Sequence, residues 1–371
     1  MAEGDVLVVD GGSRSLRMVV VTRSQERRWD RYVESPPGSD EAQGLLDTFQ
    51  DEIGSVDAVG HRTVHGGRKL TRATLIDDSV VRALEEAAPM APIHMPAALR
   101  TIAQLRDRLP DTPQVVAIDT AFHTTMAPSA YTYALPAAWR ERWDLRRYGF
   151  HGLSYASAVP RVASLLGKDP SSLSCVMTHL GGGSSVCAVQ DGRSAWTSMG
   201  NTPLDGIAMV TRSGSIDPGL LLDLVGRHGL SVDAVRAGLD YQSGLLGLSD
   251  GRSGDTRILE KAAEEGDVQS QLALDVFCLH AAQAIAAAAT CIERLDAVVF
   301  TGEIGNDSPE TRERICRRLG VIGVESGLMS TQDQDSIISR ATATVPVIAL
   351  TVAEDLQIAK ETRSVVDSRA G

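Results

Sequence analysis

Two arginines, two carboxylates and a histidine stand beside glycines or at the ends of apolar runs. Arg62 lies in Gly60-His61-Arg62-Thr63-Val64-His65-Gly66-Gly67, and Arg212 lies in Thr211-Arg212-Ser213-Gly214. A planar guanidinium in such a place can grip a carboxylate or phosphate through two parallel N–H donors, and two of them could bracket a phosphoryl group in transit. Asp119 closes the run from Pro113 to Ile118, where a buried strand would deliver a carboxylate. It either caps the next segment or links to a metal, with Glu354, after the last strand, as its partner. His151, in Tyr148-Gly149-Phe150-His151-Gly152, has room to donate a hydrogen bond to a phosphoryl oxygen. His94, His123 and His179 share apolar or glycine-rich surroundings, and most histidines so placed are structural. Phosphoryl transfer asks for positioning and charge neutralisation and needs no side-chain nucleophile.

The elements that must position these groups come in two rounds. A glycine-serine turn occurs as Asp10-Gly11-Gly12-Ser13-Arg14-Ser15 and again as His179-Leu180-Gly181-Gly182-Gly183-Ser184-Ser185, each between β-branched runs. Each reads as a hairpin pinched at glycines, either an ordinary turn or one whose bare backbone N–H groups cradle phosphate. Two matched copies predict a duplicated domain. Strands are expected at 5–9, 17–22 and 28–34 as a meander, then at 57–64 and 114–119. Helices are expected at 41–52, 79–88 and 96–109. The second round starts near Leu173, with helices at 218–228, 231–239 and 254–265 and strands at 297–301 and 346–351. A long alanine-rich helix is expected over 271–295, with its apolar centre around Ala281 to Thr290 too short to span a bilayer.

With 371 residues, two domains are the default expectation. A net charge of −12 and 4% aromatic residues argue against nucleic acid as a partner, because an acidic surface repels a polyphosphate and few rings are present to stack on bases. Five cysteines, Cys175, Cys187, Cys278, Cys291 and Cys316, show no metal-site spacing and read as buried thiols. No signal peptide pattern precedes the first strand, so no membrane role and a cytoplasmic location are expected.

At this point the residues resemble the acetate kinase family of the sugar kinase, Hsp70 and actin superfamily. Ordered blocks carry the resemblance: Gly60 to Gly67, Ala91-Pro92-Ile93-His94, Asp119-Thr120-Ala121-Phe122-His123, Arg146 to Gly152, His179-Leu180-Gly181, Thr197-Ser198-Met199-Gly200, Thr211 to Gly214 and Ser243 to Ser249. The resemblance implies an α/β, two-domain, duplicated actin-like (acetate and sugar kinase) fold with an interdomain active-site cleft. Its domains would be residues 1–120 with 355–371, and residues 121–354. It implies Mg²⁺-dependent, reversible transfer of a phosphoryl group from ATP to acetate or another small carboxylate, and a homodimer. By the same resemblance Arg62 and Arg212 hold substrate carboxylate and phosphoryl group, His151 steadies the equatorial oxygens, and Asp119 works with the metal-side residues Asp10 and Glu354. Val64, Ile93, His94, Phe150 and Pro203 serve the acyl group. Ser13, Ser15, Arg17, His179, Gly181 and Gly183 face the phosphates, and Asp255, Arg257, Glu303, Ile304 and Gly305 the rest of the donor.

The chain also departs from the family pattern. Asp10 replaces an asparagine, Arg17 a lysine and Gly182 an asparagine, the last removing a phosphate donor worth roughly 1.5 to 3 kcal/mol. Thr256 stands where an aromatic separates Asp255 from Arg257, and Glu303 replaces a glycine on the adenosine side. A carboxylate there can fill the adenine space or repel the α-phosphate. Two alternatives follow: a carboxylate kinase with a non-purine donor such as pyrophosphate, or a non-catalytic sensor of acyl phosphate or nucleotide.

Overall fold

The computed structural model describes residues 4–12, 15–329 and 334–370. The chain folds into two compact units. Unit 1 is Met1–Thr124, Phe150–Ser157 and Ala353–Gly371, and unit 2 is Thr125–Gly149 and Ala158–Val352.

Unit 1 contains β1 (Val6–Gly11), β2 (Leu16–Val21), β3 (Arg27–Val33), β4 (Ala58–Thr63), β5 (Thr74–Leu75) and β6 (Gln114–Ile118), in sheet order β3-β2-β1-β4-β6-β5. The first three strands form the expected meander, and β4 and β6 then add parallel to β1. The apolar run of β1 is buried on both faces, as befits a central strand between antiparallel β2 and parallel β4 with a core on each side of the sheet. Leu7 and Val9 enter a core with Leu16, Met18, Trp29 and Phe49, and Val6 and Val8 enter another with Val19, Val21, Leu153 and Ile358. Helices Asp40–Glu52, Asp78–Ala87 and Met95–Arg108 match the expected ones to within a residue, the first two capped by Ser39 and Asp77.

Unit 2 repeats this plan. Its strands are β7 (Cys175–Leu180), β8 (Ser184–Gln190), β9 (Arg193–Thr197), β10 (Val298–Thr301), β11 (Ser336–Ile337) and β12 (Val347–Ala349), in order β11-β12-β10-β7-β8-β9. Read from the other edge, the two sheets share one pattern. An antiparallel meander is followed by two parallel strands and a short antiparallel edge strand that precedes its neighbour in the chain. The expected duplication is present in the topology itself.

The alanine-rich helix runs Val268–Ala289, starting and ending earlier than expected, with Asp267 accepting from Ser270 N at 3.0 Å as its cap. Its 22 residues are long and apolar enough, by length and composition, to cross a membrane. That corrects the expectation of too short a stretch. Ala273, Leu274, Phe277, Cys278, Ala281, Ala282, Ile285 and Ala288 pack into the core of unit 2 against Val176, Val298 and Phe300. Small alanine side chains let the helix lie close to the sheet. The cysteine reading needs one correction as well: four thiols are buried, but Cys291, just beyond this helix, is exposed.

Candidate active site

Strand register explains why three of the candidate residues meet in unit 1. Val9 pairs with His61 across β1 and β4, and Thr63 pairs with Ile118 across β4 and β6. The residues that follow or flank these pairs, Asp10, Arg62 and Asp119, therefore emerge at the carboxyl ends of three adjacent parallel strands, where open α/β sheets place their ligands. Arg62 Nη1 donates to Asp10 Oδ2 at 3.0 Å and Nη2 to Asp119 Oδ2 at 2.9 Å, while Nε lies 3.7 Å from Glu354 Oε2. Glu354 opens the helix Glu354–Ala370. Asp119 is fully buried, whereas the Asp10 side chain is 40% exposed.

The electrostatics follow from this crowding. Burial pushes the Asp119 carboxyl up to about 6, with Arg62 opposing the rise and Glu354 and Asp10 adding to it. Burial also raises Glu354. Burial by itself lowers Arg62, but Asp10, Asp119 and Glu354 together hold it well above the ordinary arginine value. Asp119 Oδ1 is buried with no hydrogen-bond partner, an orphan acceptor of the kind a hard cation satisfies. Among the described residues no preformed cluster of three or more acidic, His or Cys ligands is arranged around one point. The carboxylates are drawn to Arg62 instead.

The neighbouring segments close around this group. A Cβ on Gly152 would overlap Asp119 O, so the turn containing His151 rests directly on the Asp119 backbone. His151 itself has φ 57°, in the left-handed region. Phe150 is 1% exposed, and its ring meets the edge of buried His65, with centroids 5.6 Å apart. Val64 packs on the cluster of Met95, Val116 and Ile118. Ile93 and His94 sit, partly exposed, just before helix Met95–Arg108.

In the first glycine turn, Gly12 N donates to Ser15 O at 2.8 Å, and Ser13 lies outside the described residues. Arg17 stands opposite Asp10 across the hairpin, yet its guanidinium forks onto Asp30 at 3.1 and 2.7 Å, with Asp355 3.9 Å away. Asp355, which also holds Arg27, and Asp30 are partners that sequence reading did not single out. The antiparallel pairing of β2 with β3 places Asp30, and Asp355 arrives on the helix Glu354–Ala370.

Unit 2 builds the second turn in the same way. His179 pairs with Thr301 across parallel β7 and β10, so the Gly181 turn and Gly302-Glu303 leave neighbouring strand ends together. Ser184 Oγ accepts from Gly181 N at 3.3 Å, and a Cβ on Gly181 would lie 3.8 Å from both His179 Nε2 and Glu303 N. Gly182 is exposed and Gly183 partly so. Gly302 has φ +81°, and a Cβ there would overlap Leu180 O. Ile304 and Gly305 continue into the short helix Gly302–Asp307, with Glu303 exposed on its first turn. Asp255 caps helix Thr256–Glu264 and takes both arms of the exposed Arg257 guanidinium, at 3.0 and 2.7 Å. That hydrogen bonding lowers Asp255 and raises Arg257, with Glu303 also contributing to Arg257. Arg212 Nη1 donates to Pro203 O at 3.4 Å, which brings those two expected residues together. Burial lowers Arg212, and Asp240 acts against that.

A duplicated α/β plan, with glycine turns and charged side chains at matching strand ends, defines a phosphate-handling enzyme class of the actin-like kind. The acetokinase family model matches residues 41–360. The acetate kinase of Thermotoga petrophila is 36% identical over 397 residues, spanning 98% of each chain, and that of Deinococcus deserti is 40% identical, spanning 95% of this chain and 90% of its own. Among solved structures, a propionate kinase from Francisella tularensis superposes with a TM-score of 0.89 and the Porphyromonas gingivalis acetate kinase with 0.88, both at 30% identity and spanning 98% of this chain and all of theirs. The chain belongs to the acetokinase family, and its fold is the actin-like fold of those kinases.

Proposed function

We propose that this protein transfers a phosphoryl group from ATP to acetate or a similarly small carboxylate, reversibly, giving acyl phosphate and ADP. The observation that carries the reading is the Arg62 cluster, a largely buried guanidinium at strand ends with a fully buried carboxylate on one arm. In this reading Arg62 turns an arm from Asp10 to the incoming carboxylate, an exchange of one carboxylate partner for another. His151 donates to the phosphoryl oxygens, while Val64, Ile93, His94 and Phe150 bound the acyl end. In unit 2 Arg212 offers a second anion-binding guanidinium, and Pro203, whose carbonyl accepts from it, belongs with the residues that serve the acyl group. The Gly181 and Gly183 backbone and His179 meet donor phosphates, with Glu303, Ile304, Gly305, Asp255 and Arg257 further along the donor. Ser15 and Arg17 complete the phosphate side of unit 1. Asp10, Asp119 and Glu354 offer the oxygen donors that Mg²⁺ takes, and the orphan Asp119 Oδ1 supports that fit. When bound, the ion neutralises charge on the donor phosphates. A cytoplasmic homodimer belongs to this proposal on family resemblance alone.

The test is hydroxamate trapping of acyl phosphate with Mg²⁺, using acetate, propionate and butyrate against ATP, GTP and pyrophosphate. Turnover with ATP is expected, and its absence with every acid and donor would overturn the reading. Glu303, exposed beside the second glycine turn, favours pyrophosphate as the second reading of the donor. Glu303→Gly should then lower the KM for ATP about tenfold or more by removing a charge and a side chain from the donor path. An unchanged KM would clear Glu303 of any part in donor choice.

A further inference from the structure

The turn that presents His151 is built in a conformation that a histidine does not choose by itself. At φ 57° its backbone is left-handed, a placement that strains a non-glycine residue and persists only where the surroundings fix it. The residues on either side are held by unrelated contacts. Gly152 is pressed against Asp119 O with no room for a Cβ. On the other side, Phe150 O accepts a hydrogen bond from His123 Nε2 at 3.0 Å. Because a carbonyl oxygen only accepts, His123 must carry its proton on Nε2. His123 is itself fully buried, wedged edge-on between Phe122, with ring centroids 5.6 Å apart, and Tyr155, 5.9 Å apart.

We infer that His123 is a positioning residue for the reaction, fixing the Phe150 carbonyl so that His151 stays in its left-handed pose above the Asp119 backbone. The inference rests on the proposed role of His151 and extends it by one layer. Without the His123 donor, the Phe150–His151 peptide can rotate and the imidazole leaves the place where it meets the phosphoryl oxygens. A displacement of about 1 Å at such a group can cost on the order of a hundredfold in rate. Ground-state binding of carboxylate and donor, which other residues provide, should barely change.

The experiment compares wild type, His123→Leu, His123→Gln, His151→Ala and the double variant His123→Leu/His151→Ala in the hydroxamate assay. His123→Leu is expected to lower kcat roughly 10- to 100-fold with KM within about threefold, and His123→Gln, which keeps an N–H near the Nε2 position, to recover most of that loss. In the His151→Ala background His123→Leu should cost less than about twofold, because its effect runs through His151. Equal losses in both backgrounds, or a His123→Leu kcat within twofold of wild type, would overturn the inference. Imidazole ¹⁵N spectra keep it testable if His123→Leu does not fold: the His151 signal, identified by its loss in His151→Ala, should stay near its wild-type position in His123→Gln but move in His123→Phe, which fills the aromatic slot without a donor. An unmoved signal in His123→Phe would sink the inference. The same spectra separate it from the functional reading, since a wild type with no turnover removes the reaction but still reports whether His123 governs His151.

Discussion

Arg62 is surrounded by three carboxylates and can neutralise only one unit of charge. That imbalance makes the fully buried Asp119 dependent on the guanidinium, because a carboxylate stripped of water and of its cation is costly. Arg62→Ala should therefore lose both turnover and about 3–5 kcal/mol of stability, read by urea unfolding beside the hydroxamate assay. Arg62→Lys keeps a positive charge but loses the planar fork, so it should unfold near the wild-type midpoint yet turn over at least about a hundredfold more slowly. Wild-type rates in the lysine variant would rule out a need for bidentate recognition. The sequence pointed to Arg62, Asp119 and Glu354 from local context, glycine neighbours and the ends of apolar runs. It offered Asp119 and Glu354 as metal-side partners but did not reveal that Arg62 lies between them, because that depends on which segments lie side by side. Arg17 shows the same limit from the other direction: its expected phosphate role coexists with a firm fork onto Asp30, on the strand beside it.

At the scale of elements, strand ends approach too closely for a side chain at some glycines, Gly11 and Gly302 among them, while Gly181 and Gly182 have room around them. Gly302 is the sharpest case, with a left-handed φ of +81° and Leu180 O where a Cβ would go. Gly302→Ala should cost more than about 1 kcal/mol and shift the helix Gly302–Asp307 away from the Gly181 turn. The expected kinetic signature is a raised donor KM with the carboxylate KM little changed, measured by varying each substrate at saturation of the other. A variant with wild-type stability and donor KM would show that β7 and β10 tolerate a wider gap. Most strands and the helices of the expected runs were legible from periodicity, since hydrophobic alternation acts within a few residues, whereas the helices Gly152–Leu165, Pro309–Cys316 and Glu354–Ala370 are not among those runs. The segment after β10 shows where local reading ended: the strand was legible, but not that Gly302-Glu303-Ile304-Gly305 begins a helix that packs back on β7.

For the whole molecule, buried neutral histidines set an acid limit. His61, hydrogen-bonded to Gln114 at 2.8 Å, and His65 are both lowered by burial to about 4. Between pH 6.5 and 4 the unfolded chain therefore binds protons that the native state refuses, so stability falls as pH falls through that window. Asp119, raised to about 6, acts in the opposite sense, because the native state holds its proton more tightly than the unfolded chain does. The contribution of one histidine is isolated by substitution: from pH 6.5 to 4.5, His61→Gln should lose roughly 2–3 kcal/mol less than wild type in urea titrations. Parallel losses in the two proteins would mean that His61 is protonated in the native state. The sequence by itself determined the duplication, the strand and helix runs, the glycine turns and the identity of the charged candidates, all of which follow from patterns within a short stretch of chain. Only the tertiary structure decided that Asp10, Asp119 and Glu354 share one arginine, that Arg17 turns to Asp30, and that His123 holds the His151 turn. Those pairings join residues brought together by strand register, parallel for Asp10, Arg62 and Asp119 and antiparallel for Arg17 and Asp30, and by segments that return to the sheet, and a charge or a hydrogen-bond donor finds its partner by distance in space.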